Sequence, residues 1–155
     1  MKIIAFSDGA ARGNPGHAGI GGIILNGNGE ILVTVSEYVG ERTNNVSEYL
    51  AFIVTLERAI ELNPTHLDLR IDSELLVRQI KGIYKVKNQG LAPLYKRSMQ
   101  LLSGCDEYEL SHVPREENRD ADRLANEAID RFLEGESSIY TIAGMEEQTS
   151  LFNDK

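Results

Sequence analysis

Apolar positions over the first forty residues come in short runs of strand length. Residues 2–7 (Lys-Ile-Ile-Ala-Phe-Ser), 18–26 (Ala-Gly-Ile-Gly-Gly-Ile-Ile-Leu-Asn) and 30–39 predict three β-strands. Between the second and third, Gly27-Asn28-Gly29 reads as a hairpin turn, because glycine and asparagine tolerate positive φ. Glycines at 19, 21 and 22 would weaken an isolated strand, so their presence predicts close backbone approach or a bulge. The period then changes. Val46, Leu50, Ile53, Leu56 and Ile60 recur at spacings of three and four, which predicts a helix to Leu62 with Asn45 or Ser47 as cap and Asn63-Pro64 as stop. A fourth strand over His66–Asp72 runs directly into a helix over 73–83 that Ser73 is placed to cap. A helix over about 92–102, a strand over 107–113 ending at Pro114, and a last helix over about 118–133 complete the pattern.

The order βββαβααβα predicts an α/β domain over residues 1–134. Its expected core is a five-stranded mixed sheet, three antiparallel strands and then parallel ones, with helices on both faces. Residues 135–155 lack a convincing period and read as a C-terminal tail, flexible at least in part. A chain of 155 residues that is 41% hydrophobic is long enough for one domain with a real core. No apolar run approaches the roughly 20 residues that cross a bilayer, and no signal-peptide core precedes the first strand. The single cysteine, Cys105, excludes an intrachain disulfide and a cysteine-built zinc site. A cytoplasmic protein without a membrane partner is the expectation.

A formal charge of −8 argues superficially against a nucleic-acid partner, since phosphate binding is driven by basic residues. The distribution changes that picture. Residues 81–100 carry Lys81, Lys85, Lys87, Lys96 and Arg97 and no acid, whereas 106–134 is acidic on balance. A cluster of carboxylates also needs no basic surroundings where a bound cation meets the phosphate. The basic block is then either a solvated helix–loop–helix face or a surface that holds substrate.

Four carboxylates sit where predicted elements begin or end. Asp8 closes the first apolar run and opens a glycine-rich loop, Asp8-Gly9-Ala10-Ala11-Arg12-Gly13-Asn14-Pro15-Gly16. Glu48 lies at the start of the first helix, Asp72 ends the fourth strand, and Asp122 lies in the last helix. Taken singly, each has a bland account: Asp8 and Asp72 as caps, Glu48 as a helix-dipole partner, Asp122 as one more charge on an acidic helix. Taken as a set they look like a cage for a hard cation such as Mg²⁺, which takes oxygen ligands from separate elements of a scaffold.

Four segments in this order resemble the type 1 ribonuclease H family: Phe6-Ser7-Asp8-Gly9 followed by Gly13-Asn14-Pro15-Gly16; Thr43-Asn44-Asn45 with Glu48; Ile71-Asp72-Ser73; and Asn118 with Ala121-Asp122 and Leu124-Ala125. The resemblance covers residues 1 to about 134. It implies an endonuclease that cuts the RNA strand of an RNA/DNA hybrid, leaving 3′-hydroxyl and 5′-phosphate ends. Two Mg²⁺ ions, with Mn²⁺ as a substitute, would be held by Asp8 as the bridge, Glu48 and Asp72 on the leaving-group side and Asp122 on the water side. Asp120 competes with Asp122, lying about 200° away around the helix; the family spacing favours Asp122. Gathering four anions without metal should raise the pKa of one carboxyl. The resemblance further implies that Asn14, Asn44 and Asn45 contact the hybrid through its minor groove and 2′-hydroxyls, and that Thr43 contacts a DNA-strand phosphate. Turn and cap chemistry is the other account of the two asparagines.

The chain departs from the family pattern in three places. The histidine that many members carry before the last aspartate is missing from Pro114-Arg115-Glu116-Glu117-Asn118, so Arg115 is the expected substitute in product release. His112 reads as structural, and His17 and His66 as surface or strand-edge residues. Glu74 stands where some members carry a substrate-contacting amide. The basic, tryptophan-rich protrusion of some bacterial members is absent; Lys81, Lys85 and Lys87 would supply a smaller, salt-sensitive version. In the tail, Gln148-Thr149-Ser150-Leu151-Phe152 resembles the peptide by which bacterial proteins dock on the β sliding clamp, Gln148 setting orientation and Leu151 and Phe152 filling a groove. The competing readings are a non-catalytic hybrid-binding module on the same fold, another two-metal nuclease such as one resolving DNA junctions, and a fragment of an actin-like ATPase.

Overall fold

The computed structural model describes residues 1–142. Strands β1 (Lys2–Gly13), β2 (Gly16–Asn26) and β3 (Ile31–Arg42) form an antiparallel meander, followed by α1 (Asn44–Ile60), β4 (His66–Ile71), α2 (Glu74–Ile80), α3 (Ala92–Ser103), β5 (Tyr108–His112), a 3₁₀ turn over Arg115–Glu117, and α4 (Arg119–Leu133). The sheet order is β3-β2-β1-β4-β5, with β4 parallel to β1 and β5 parallel to β4. This is the expected mixed sheet, and it places β1 at the centre.

The glycines of β2 explain how helices cover both faces. A Cβ on Gly21 would lie 1.9 Å from the Ala121 carbonyl oxygen, and one on Gly19 would lie 2.2 Å from that of Ala125, so α4 rests directly on the backbone of β2. Gly22 points the other way, where a Cβ would come within 2.2 Å of Thr55 Oγ1 on α1. A bulge between Ala18 and Gly19 accompanies this approach. The apolar face of α1 supplies much of the core, with Tyr49, Ile53 and Leu56 fully buried against Ile3, Ile20, Ile24 and Leu67.

Several boundaries differ from the expectation. The glycine-rich segment after Asp8 is not a loop. β1 continues through it to Gly13, paired residue for residue with β2 as far as Gly13↔Gly16, so the reversal is confined to Asn14-Pro15. Helix α1 is capped by Thr43, whose Oγ1 accepts from the Val46 N–H at 3.2 Å, and not by Asn45 or Ser47. Ser73 caps α2 as expected, accepting from Leu76 N–H at 3.3 Å. That helix stops at Ile80, ahead of Gly82 at φ +78°, rather than at residue 83. Beyond α4 the backbone folds back: the Tyr140 N–H donates to the Tyr38 carbonyl at 2.7 Å, and Ile142 is buried in the core. His17 is half-buried near the start of β2. It packs beside Tyr38 and Phe132, with Nδ1 2.7 Å from the Tyr38 hydroxyl.

Candidate active site

Asp8 lies in mid-strand on the central strand, opposite Gly21. The next residue has no side chain for a steric reason: a Cβ on Gly9 would lie 2.2 Å from the Ser47 carbonyl carbon and 2.4 Å from the Glu48 nitrogen. The bare backbone lets the start of α1 settle on β1, and the Gly9 N–H donates to Glu48 Oε1 at 3.3 Å. Parallel pairing of Ser7 with Ile71 carries the chain out of β4 at Asp72, beside Asp8. Oxygen atoms of Asp8, Glu48 and Asp72 all lie within 4.8 Å of one another. Asp122, in the first turn of α4, faces Asp8 closely enough to help raise its pKa. Asp120 is exposed, 3.7 Å from Arg123, and the structure brings Asp8, Glu48 and Asp72 into one close group, with Asp122 on the α4 side of Asp8.

Asn118 braces this group. Fully buried, its Nδ2 donates to Asp72 Oδ1 at 3.0 Å and to the Ser7 carbonyl at 2.9 Å, tying the entry to α4 to the middle of β1 and to the residue that follows β4. Asn126, four residues after Asp122 on the same helix, donates to Asp122 Oδ1 at 3.3 Å. Sequence reasoning passed over Asn126; the spacing of four from Asp122 was the available signal.

Burial, then the charge and hydrogen bond of Glu48, then the charge of Asp72 push the Asp8 carboxyl far above the usual carboxylate range. Burial also raises Glu48, opposed by the hydrogen bond it accepts from Asp8. Without a cation the cluster favours a retained proton, as buried like charges must. Glu48 Oε2 is buried with no hydrogen-bond partner. A buried acceptor left open, within a set made only of carboxylate oxygens, fits a hard divalent cation.

The remaining candidates surround this centre. Asn14 Oδ1, at the β1–β2 turn, accepts from the Asn44 N–H at 2.9 Å, so Asn14, Asn44 and Asn45 form one exposed edge beside the start of α1, with half-buried Thr43 next to it. Arg115 is 88% exposed, with Nε 3.9 Å from Asp72 Oδ2. The ring of His112, at the end of β5, lies 3.2 Å from the Asp72 backbone oxygen. Lys81 ends α2, and Lys85 and Lys87 stand exposed on the connector to α3. Arg97 is engaged elsewhere, 2.7 Å from Glu57, and Glu74 pairs with Arg78 at 2.8 Å. Gln148, Leu151 and Phe152 lie outside the described residues.

Residues 6–128 match the family model described as "Reverse transcriptase-like". A ribonuclease H from Prosthecochloris aestuarii is 36% identical over 146 residues, covering 83% of this chain and 95% of that protein. The chain belongs to the type 1 ribonuclease H family. Ribonuclease HI of Halobacterium salinarum is 40% identical over 129 residues, which are 83% of this chain and 65% of that protein, so the chain spans less than two thirds of that relative's length. Among solved structures, LC11-RNase H1 in complex with an RNA/DNA hybrid superposes with a TM-score of 0.80 at 43% identity, covering 84% of this chain and 99% of that one. The five-stranded ribonuclease H sheet and its carboxylate cluster are thus present here together, and the cluster has the donor set a divalent metal requires. No described helix is long and apolar enough to cross a membrane.

Proposed function

We propose that this chain is an endonuclease that hydrolyses the RNA strand of RNA/DNA hybrids, leaving 3′-hydroxyl and 5′-phosphate ends. The single observation that carries the reading is the convergence of oxygens of Asp8, Glu48 and Asp72 within 4.8 Å on the ribonuclease H scaffold. Asp8, Glu48, Asp72 and Asp122 would hold two Mg²⁺ ions, or Mn²⁺ in their place. Bound there, such ions lower the pKa of an attacking water and stabilise the leaving oxygen. An intact ligand set of this kind speaks against a non-catalytic module.

The protein's own contribution is position. Asp8, fixed by the central strand, faces both the Glu48–Asp72 side and the Asp122 side. Asn118 holds Asp72 in orientation from a buried site. The exposed edge of Asn14, Asn44 and Asn45 would read 2′-hydroxyls across the minor groove, and Thr43 a DNA-strand phosphate. Lys81, Lys85 and Lys87 would add phosphate contacts, and Arg115, exposed beside Asp72, would draw the product phosphate away from it. We assign catalysis to residues 1–134, and to Gln148, Leu151 and Phe152 a docking role on a bacterial β sliding clamp.

The test is incubation with labelled RNA/DNA hybrid, duplex RNA and duplex DNA, each with Mg²⁺ or EDTA. Metal-dependent cutting of the hybrid's RNA strand alone, lost in Asp8→Asn, is expected. A protein that binds hybrid with either Mg²⁺ or Mn²⁺ but leaves it intact would turn the assignment to a binding module.

A further inference from the structure

Arg12, near the end of β1, reaches across to α4. Its Nη1 lies 2.8 Å from Asp130 Oδ1, and its Nη2 donates to both the backbone oxygen and Oδ1 of Asn126 at 3.3 Å. A guanidinium offers donors and no acceptor, so the Asn126 amide can meet it only through oxygen. The amide nitrogen is thereby turned the other way. There Nδ2 donates to Asp122 Oδ1 at 3.3 Å and to the Asp122 carbonyl at 3.1 Å. The sign of each contact is fixed by chemistry at one end of the chain and delivered at the other.

We infer that Arg12 and Asn126 are positioning residues for Asp122, acting through a directional relay that aims its carboxylate at Asp8. The inference rests on the metal-dependent reading of the site. Direct contact between Arg12 and Asp122 would oppose a cation at that carboxylate, by charge. The neutral amide between them conveys orientation while Asp122 keeps its full charge for the metal. Orienting partners of ligating carboxylates act on affinity and rate together, and their loss typically costs about 10- to 100-fold. Neither residue touches the site formed by Asp8, Glu48 and Asp72, so hybrid binding should be spared.

Isosteric Asn126→Asp distinguishes this relay from a mere tie between β1 and α4. It keeps an oxygen for Arg12 and removes the donor to Asp122. Steady-state cleavage of hybrid with Mg²⁺, melting in EDTA, and calorimetric titration with MgCl₂ alone are measured on the full chain. The relay predicts an Asn126→Asp variant that melts no lower than wild type, with kcat down about tenfold and KM for hybrid unchanged. Asn126→Ala should bind Mg²⁺ about tenfold more weakly. Arg12→Ala should weaken Mg²⁺ binding less, with no further loss when combined with Asn126→Ala. Wild-type kcat in Asn126→Asp, wild-type Mg²⁺ affinity in Asn126→Ala, or additive losses in the double variant would overturn the relay while leaving the enzyme assignment intact. A wild-type chain that binds no Mg²⁺ and cuts no hybrid would overturn both.

Discussion

Carboxylate oxygens of Asp8 and Glu48 lie within 4.8 Å of each other where β1 passes beneath α1, and burial together with this proximity raises both pKa values in the metal-free protein. In the folded chain Asp8 keeps its proton well above the usual carboxylate range, chiefly through burial and then through Glu48. The folded state therefore binds more protons than the unfolded chain once pH exceeds about 4. Stability without metal is full below that value and falls as pH rises through neutrality. Asp8→Asn removes the titrating group, so in EDTA the variant should melt above wild type, by more at pH 8 than at pH 5. A shift of about 2–4 °C per kcal/mol is the scale for a chain of this size. Equal melting temperatures at both pH values would refute the retained proton.

Metal binding must displace that proton. Titration with MgCl₂ at pH 7 in buffers of different ionisation enthalpy should show a net release approaching one proton per protein, since ligands coordinate in their deprotonated form. Cleavage should correspondingly require less Mg²⁺ as pH rises from 6 to 8. Buffer-independent binding heats would mean that the carboxylates are already ionised.

Asn118 offers a test of support without charge. Asn118→Ala removes donors to Asp72 and to the buried Ser7 carbonyl, and an unsatisfied buried acceptor costs about 1–3 kcal/mol. The variant should melt several degrees lower and show reduced kcat. If the melting temperature is unchanged, the brace contributes nothing to stability.

Much of this arrangement is legible in the sequence. Asp72, the residue after β4, comes level with mid-strand Asp8 because parallel pairing of β1 with β4 sets Ser7 beside Ile71. Family spacing prefers Asp122 over Asp120, helical angle saying only that the two face apart; in the structure Asp120 sits exposed beside Arg123. The length of β1 was not legible. Glycines at 9, 13 and 16 look like a loop, whereas the Gly9 position serves a helix that arrives about forty residues later in the chain, about which local pattern carries no information. Asn126 was hidden for a related reason: a polar residue on a polar helix face looks solvated until Arg12 is seen beside it.

The glycines give a graded prediction. Gly21→Ala forces a methyl against the Ala121 carbonyl, and Gly9→Ala forces one against Ser47, so each must part a helix from the strand beneath it. Overpacking of this kind costs about 1–3 kcal/mol or more, and here it also moves Asp122 or Glu48 away from Asp8. Gly29→Ala, at φ +82° but in open space, should cost about 1 kcal/mol and spare activity. Melting curves and cleavage rates on the three variants check the order.

Lys81, Lys85 and Lys87 stand exposed on one connector, without an acidic neighbour in the sequence from 81 to 100. As phosphate-binding groups they would act by releasing counterions from the hybrid, an effect that weakens with salt and carries no chemistry. Replacing all three by alanine should raise KM severalfold at low salt, leave kcat unchanged, and flatten the dependence of log affinity on log salt by about 0.7–0.9 for each phosphate no longer neutralised. The slope decides the matter, because a solvated face and a substrate-holding surface both give up charge on substitution but only the second releases counterions on binding. A triple variant with the wild-type slope would assign hybrid binding to the edge of Asn14, Thr43, Asn44 and Asn45 alone.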